Sequence, residues 1–297
     1  MTWISDRAID RLRDAAAWPE LDDRYVITGV AGRGGMGTVY IARDQRLDRD
    51  VAVKVLAIGN QRGSRAAWLS REAHILARLD HPAIVPVHDT GVLPDGRPFY
   101  VMKLVRGRHL DEVLADRPPP AVRLDLFARV LEAVSFAHAQ GVVHRDLKPE
   151  NIMVGSFGEV FVMDWGVAQD GAADAEPVIV GTPGFMPPEQ AGAREVDARA
   201  DIFALGVVLA QVVGDRPAPA LVAIATKAQH STPQERYQTV EQLAAEIARF
   251  RTQQPVSAYR ESLLERALRV YRRYELPILL LLAYVVMRLV LLVWARV

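Results

Sequence analysis

The sequence predicts an α+β protein of two lobes with a cleft between them, a β-rich first third and a helical remainder, followed by a C-terminal hydrophobic helix. Three observations carry this reading. The runs "DDRYVITGVAG", "TVYIARD" and "DVAVKVL" are rich in β-branched and aromatic residues around a glycine cluster. From Ala121 onward the apolar period becomes that of a helix, as in "RLDLFARVLEAVSFAHAQG". Finally, "LPILLLLAYVVMRLVLLVW", residues 276–294, is apolar apart from Arg288. The 297 residues are ample for a sizeable core, and the balance of 36 basic against 36 acidic residues leaves no basic stripe of the kind that coats nucleic acid. The absence of cysteine excludes a disulfide framework, a thiolate zinc site and a cysteine nucleophile.

Taken in order, residues 3–17 read as a short charged helix, and residues 1–24 as a helical extension without the apolar core of a signal peptide. The glycine cluster then joins two antiparallel strands, and "DVAVKVL" is a third. In "SRAAWLSREAHILARLD", Trp68, Leu69, Ile75, Leu76 and Leu79 share one helical stripe, with Glu72 on the same face, where an inward carboxylate needs a cation. "IVPVHDTGVLPDGRPFYVMKLV" reads as a hairpin turning at Pro94 to Gly96. A long helix follows and stops at Gly141. "GVVHRDLKPENIMV" and "GEVFVMDWG" read as short strands bracketing a loop, and the chain after Asp201 is mostly helical to about Gln254. The main domain is thus expected over 25–253, a basic juxtamembrane helix over 254–275 and a transmembrane helix over 276–294. A run of 19 residues, apolar apart from Arg288, is close to the ~20 that a bilayer requires, although a central arginine costs ~2.5–3.5 kcal/mol on insertion scales. Arg260, Arg266, Arg269, Arg272 and Arg273 precede the segment and only Arg296 follows it, which places the main domain in the cytoplasm as part of a single-pass membrane protein. So little chain follows Trp294 that no outer sensor domain is expected. The competing reading of this segment is a hydrophobic helix that packs on the domain or lies in the membrane interface.

The residues that carry chemistry begin with Gly32, Gly34 and Gly37 in G-x-G-x-x-G spacing, where backbone amides can approach phosphates. Alone this pattern is weak, but here it lies between two strands and not between a strand and a helix, which argues against a dinucleotide fold. With "VAVK", "SREAHIL", "HRDLKPEN", "DWG" and "GTPGFMPPEQ", the sequence from about Tyr25 to Phe250 resembles the protein kinases, specifically bacterial Ser/Thr kinases whose glycine loop reads G-x-G-G-M-G-x-V-Y.

The resemblance implies a bilobal protein-kinase fold with ATP and Mg2+. Lys54 would pair with the α and β phosphates and Glu72 would hold that lysine. Asp146 would orient the acceptor hydroxyl and take its proton, Lys148 would offset charge on the moving phosphoryl group, and Asn151 and Asp164 would hold the metal. The base would lie between Val39 and Ala52 above and Met153 below, against the hinge from Lys103 to Val105, with Met102 limiting the back pocket. Thr182 would pack beside Asp146, Glu189 would pair with Arg236, and Asp201 would brace the catalytic loop through backbone amides. His88, His109 and His138 have no partners at metal-ligand spacing and read as surface or core histidines.

Two departures stand out. Trp165 replaces the usual phenylalanine of D-F-G and is expected to fill the same apolar slot beside His144 and Leu76. The stretch "LAQVVGDRPAPALVAIATKAQ" is short for the family, so the helix that docks protein substrates looks truncated. Between Gly166 and Gly181, where the family carries its activation loop, there are three carboxylates, Asp170, Asp174 and Glu176, and no Ser, Thr or Tyr. Two readings stand for this loop: one or more acids substitute for a phosphate facing Arg145, or the loop is simply a solvated acidic segment.

The resemblance, together with the apolar C-terminal segment, implies a membrane-tethered ATP-dependent Ser/Thr kinase acting on protein hydroxyls. The alternatives are an ATP-binding pseudokinase that serves as a membrane scaffold and a small-molecule kinase on the same fold. A homodimer through the basic and apolar C-terminal segments is compatible with the sequence, but no small-residue packing motif supports it.

Overall fold

The computed structural model describes residues 18–34, 37–56, 75–165, 181–192, 196–215, 217–263, 265–267 and 275–294. The first lobe is a five-stranded antiparallel sheet of β1 (Tyr25–Gly34), β2 (Gly37–Asp44), β3 (Arg49–Leu56), β4 (Val87–Val92) and β5 (Pro98–Lys103), in the order β1-β2-β3-β5-β4. Alternation explains its two faces. On β3, Val51, Val53 and Val55 bury into one cluster with Tyr25, Tyr40, Phe99 and Val101, while Ala52 turns to the opposite face and the larger core. β1 slips register between Ile27 and Gly29 and again between Val30 and Gly32, so its glycine end bends over the sheet. The expected hairpin is β4 and β5, turned at Gly96 with φ of 84°.

Of the helix expected from Ser64 to Asp80, residues 75–78 are described as helical, and Ile75, Leu76 and Leu79 are buried. Glu72, Trp68 and Leu69 lie outside the described residues, as do the N-terminal helix over 3–17 and the acidic loop carrying Asp170, Asp174 and Glu176.

The second lobe is built around α2 (Pro120–Ala139), which follows β6 (Gly107–His109) and α1 (Leu110–Ala115). Around it come β7 (Ile152–Gly155), β8 (Val160–Val162), α3 (Pro188–Ala191), α4 (Arg199–Val213), α5 (Pro219–Ala228) and α6 (Val240–Arg251). Helix α2 is apolar over most of its surface, burying Leu124, Phe127, Val130, Leu131, Val134 and Ala137, because neighbours cover it on several sides. It stops where Gly141 takes φ of 75°. The sequence run from Gly141 to Val154 is a strand only at its end: "HRDLKPEN" is a loop closing in a 3-10 turn, Pro149–Asn151, and β7 begins directly after it. Helix α4 approaches α5 so closely that a methyl group on Gly206 would come within 2.7 Å of the Ala228 Cβ. These helices end at Val213 and begin at Pro219.

Past α6, the buried Glu246 accepts hydrogen bonds from the backbone N–H of Ser257 (2.7 Å) and Ala258 (3.1 Å), fixing the exit of the chain to the second lobe. Helix α7 (Glu275–Trp294) closes the described chain, with exposed Leu279, Leu280, Leu281, Leu282 and Val286. Side chains 275, 276, 278, 289, 290, 292 and 293 of this helix are outside the described set. Among the described residues no helix is long and apolar enough to cross a membrane.

Candidate active site

The cleft between the lobes gathers residues that are far apart in sequence. Lys54 comes from β3, where it is paired in register with Val39 on β2 and Tyr100 on β5, and its ammonium group is almost buried. Its Nζ donates to Asp164 Oδ1 at 2.6 Å, across the cleft and 110 positions further on. Burial alone would push the Asp164 carboxyl up, but the Lys54 ammonium opposes this first by charge and then by hydrogen bonding. With His144 and Lys148 it holds the group below the usual carboxylate range. Asp164 also takes the uncommon left-handed conformation, φ of 57°, which aims its side chain back into the cleft. Glu72, expected as the partner of Lys54, lies outside the described residues.

Residues of "HRDLKPEN" form one connected cluster with Thr182. Thr182 Oγ1 donates to Asp146 Oδ1 at 2.8 Å and accepts from Lys148 Nζ at 2.6 Å, while Lys148 also lies 3.0 Å from Asp146 Oδ2. Asn151 Nδ2 donates to the Asp146 carbonyl at 2.7 Å and to its Oδ2 at 3.1 Å. The Met163 N–H, next to Asp164, donates to the Asn151 carbonyl at 2.8 Å and so sets Asn151 and Asp164 side by side. Both Asp146 oxygens are therefore held by donors, and the carboxylate stays partly exposed to the cleft.

Beneath this cluster lies Asp201, at the start of α4 and fully buried. Its Oδ1 accepts from the Arg145 N–H and its Oδ2 from the His144 N–H, both at 2.8 Å, and His138 Nε2 lies 2.7 Å from Oδ2. Desolvation would raise its pKa, but His138 and the donated N–H groups outweigh this and keep the carboxyl below its ordinary range. A carboxyl whose folded pKa is depressed contributes stability above its unfolded pKa of about 3.9 and loses that contribution as pH falls through the folded value. Asp201→Asn is accordingly expected to flatten the dependence of unfolding free energy on pH below about 4, while lowering stability near neutrality by about 1–3 kcal/mol for the lost charge-assisted bonds. Urea denaturation from pH 2 to 7 checks both, and equal acid slopes in the two proteins would refute the assignment.

Trp165 is buried. Its ring centroid lies 4.6 Å from that of His144 and its Nε1–H donates to the Val162 carbonyl at 3.2 Å. Leu76 belongs to the same core cluster, so the larger aromatic does occupy an apolar slot. His144 Nε2 is 2.8 Å from the Met163 carbonyl and its Nδ1 accepts from the Asp146 N–H at 3.3 Å, an arrangement that fixes the ring between the two loops.

The residues expected to face a nucleotide are less tightly specified. Ala52 and Met102 are buried, Val39 and Val105 pack partly against the core, and Met153 is half-buried on β7. Lys103 is the last residue of β5 and not part of the link itself, and its Nζ lies over the Phe161 ring at 4.5 Å. Gly34 pairs with Gly37 across the β1–β2 turn, and a Cβ on Gly32 or Gly34 would meet nothing within 4 Å, so the backbone there is open to an approaching group. The ion pair between Glu189 and Arg236 is present, bidentate at 2.6 and 2.8 Å.

Sequence reading missed two contacts at this site. One is His138 on Asp201, whose only sequence signal is a histidine in the last turn of a buried helix. The other is Gln190, whose Nε2 donates to the Arg145 carbonyl at 2.8 Å and which nothing in the motif distinguishes from its neighbours. Of the other two histidines, His109 is exposed at the start of α1, and His88 is half-buried with its imidazole pushed down by burial. Among the described residues no cluster of His, Cys, Asp and Glu is suited to hold a metal by itself. A cavity of about 740 Å³ lies away from the cleft, between α2, α5 and α6.

A family model for the protein kinase domain matches residues 25–274. The chain is similar to the serine/threonine-protein kinase PknB of Mycobacterium leprae, 36% identical over 280 residues that cover 81% of this chain and 45% of that protein. PknB of Mycobacterium tuberculosis is likewise 36% identical over 278 residues, 80% of this chain and 44% of the relative. This chain thus spans less than half the length of these curated relatives. The crystal structure of the Mycobacterium tuberculosis PknI kinase domain superposes with a TM-score of 0.62 at 25% identity, covering 77% of this chain and 97% of that one. The chain therefore belongs to the protein kinase family, with bacterial Ser/Thr kinases of the PknB type as its relatives.

Proposed function

We propose that the protein transfers the γ-phosphoryl group of ATP to serine or threonine hydroxyls of other proteins, from a position tethered to the membrane by α7. The observation that carries this reading is the single hydrogen-bonded cluster of Asp146, Lys148, Asn151 and Thr182, set opposite the Lys54–Asp164 pair. Phosphoryl transfer needs little covalent help from the protein; it needs positioned charge and a proton acceptor in line.

In this reading Lys54 supplies a nearly buried cation for the nucleotide phosphates, and the open backbone at Gly32 and Gly34 covers them. Asp146 faces the acceptor hydroxyl, orients it and takes its proton at a carboxylate oxygen already steadied by Thr182 and Asn151. Lys148 remains beside Asp146 and offsets charge on the transferred group. The donor set suits magnesium: Asn151 commits its amide N–H groups to Asp146, leaving its oxygen as the acceptor, and the half-exposed Asp164 adds carboxylate oxygens. Held by Asn151 and Asp164, magnesium would supply positive charge against the phosphates. Val39, Ala52, Met153 and the segment Lys103 to Val105 would enclose the base. Glu72 would complete the support of Lys54.

The test is transfer of labelled phosphate from ATP with magnesium by the purified full chain, to a generic basic protein and to itself, beside Asp146→Asn. Transfer by the wild type alone supports the reading; nucleotide binding without transfer would favour a scaffold. Tethering rests on the apolar run of α7 and the arginines that precede it. Expressed in a bacterium, the full chain is expected to stay with the membrane fraction after carbonate washing at pH 11 and to be released only by detergent. Release by the wash would leave α7 as a surface helix.

A further inference from the structure

The catalytic loop carries one strained residue, and it stands directly before Asp146. Arg145 takes φ of 70°, a left-handed conformation unusual for a side chain of its size that persists only when the surroundings hold it. Both of its peptide groups are held. Its N–H donates to Asp201 Oδ1 at 2.8 Å, and its carbonyl, which belongs to the peptide leading into Asp146, accepts from Gln190 Nε2 at 2.8 Å. Gln190 is almost fully buried on α3, whose preceding residue, Glu189, is anchored by Arg236 through two short bonds. A third strand of chain closes on the same point. Gly181 has φ of 132°, and a Cβ there would fall 2.7 Å from Gln190 Nε2 and 3.3 Å from the Arg145 carbonyl oxygen. Its glycine thus lets the segment carrying Thr182 return close enough for Thr182 to reach Asp146.

We propose that Gln190 is a positioning residue for Asp146: its side-chain amide pins the Arg145–Asp146 peptide to α3 and to the returning Gly181–Thr182 segment, and so sets the direction of the Asp146 carboxylate. This rests on the kinase reading above. The device uses neutral hydrogen bonds and a glycine, requires no charge on the intervening loop, and is consistent with a stretch from Val167 to Val180 that holds no Ser, Thr or Tyr. Without the amide, the Arg145 carbonyl loses its donor while Asp201 still holds the N–H side. The peptide then keeps the longer bond from the Asp146 N–H to His144 Nδ1 (3.3 Å) but loses its carbonyl anchor to α3, so it rotates more readily and carries Asp146 off line; misplacements of about 1 Å can cost about 100-fold in rate.

The experiment uses the full chain in detergent and compares wild type, Gln190→Leu, Gln190→Ala, Asp146→Asn and the double variant Gln190→Leu/Asp146→Asn. Leucine keeps most of the buried volume and removes the amide with its donor. Rates are expressed per nucleotide-binding site, counted with a fluorescent ATP analogue, so that unfolded protein does not enter. The expected result is a fall in kcat of about 10- to 100-fold in both single Gln190 variants, with KM for ATP within about threefold of wild type. In the Asp146→Asn background, the same Gln190→Leu change is expected to cost less than about twofold, because its effect runs through the carboxylate already removed. A kcat per site within twofold of wild type overturns the proposal, and so does an equal loss with and without Asp146. Absence of transfer by the wild type would instead overturn the kinase reading on which it stands.

Discussion

Asp146→Asn is expected to lower kcat by about two to four orders of magnitude, the range that a positioned general base contributes, while leaving KM for ATP within about threefold. The carboxylate is the one group in the cluster that can both orient a hydroxyl and accept its proton, and its two oxygens have separate tasks. Oδ1 receives the Thr182 hydroxyl and Oδ2 receives Asn151 and lies beside Lys148. An amide of the same shape keeps one acceptor and turns an NH2 group toward a donor, so basicity and local geometry are both lost. The Lys54–Asp164 pair across the cleft is not touched, which is why nucleotide affinity should survive. Steady-state kinetics with labelled ATP and a peptide acceptor separate the two parameters; a kcat reduced by less than tenfold would remove Asp146 from the role of base.

The second large effect concerns stability. Arg236 is buried, donates to both Glu189 oxygens at 2.6 and 2.8 Å, and also donates to the carbonyls of Arg199 (2.9 Å) and His230 (2.7 Å), with its guanidinium 5.0 Å from the Phe203 ring centroid. Arg236→Ala leaves the Glu189 carboxylate buried without its cation and three elements without their common donor. The expected loss is about 3–5 kcal/mol, or a fall in Tm of roughly 6–20 °C for a domain of this size. Arg236→Lys should fall between, because an ammonium cannot reproduce the two-pronged geometry. Glu189→Leu/Arg236→Met is expected to be more stable than Arg236→Ala alone, since removing both charges avoids the uncompensated one. Calorimetry of the four proteins checks the order, and a double variant less stable than the single would show that the pair contributes net stability beyond avoiding a lone charge. Because Glu189 precedes Gln190 on the same short helix, activity should decline along with stability.

Much of this protein could be read without coordinates. Alternation in "DVAVKVL" and the 3.6-residue period after Ala121 state locally which face of each element is buried, and these fix a β-rich lobe and a helical lobe. The chemistry was legible for a related reason. A proton acceptor, a cation for phosphate and oxygen donors for a metal must each be a particular residue type, and in "VAVK", "HRDLKPEN" and "DWG" they stand at fixed short spacings on loops or strand ends. Even the replacement by Trp165 was predictable as a packing change, because the slot beside His144 is apolar and the indole N–H has a carbonyl, that of Val162, within reach.

What the sequence could not state is which polar group meets which across long separations. Lys54 meets Asp164 from 110 positions away, His138 meets Asp201 from 63 and Gln190 meets the Arg145 carbonyl from 45. None of these pairings has a periodicity, since each depends on how two elements pack and on the direction of single side chains. Likewise, Gly181 and Gln190 look like ordinary neighbours of the motif until the left-handed Arg145 shows that its peptide must be held from both sides. The sequence by itself determined the family and the lobes and named the candidate reactive groups, because these follow from residue type and local spacing. Only the tertiary structure decided how those groups are held, because a hydrogen bond is specified by distance and direction, which a linear order of residues does not contain.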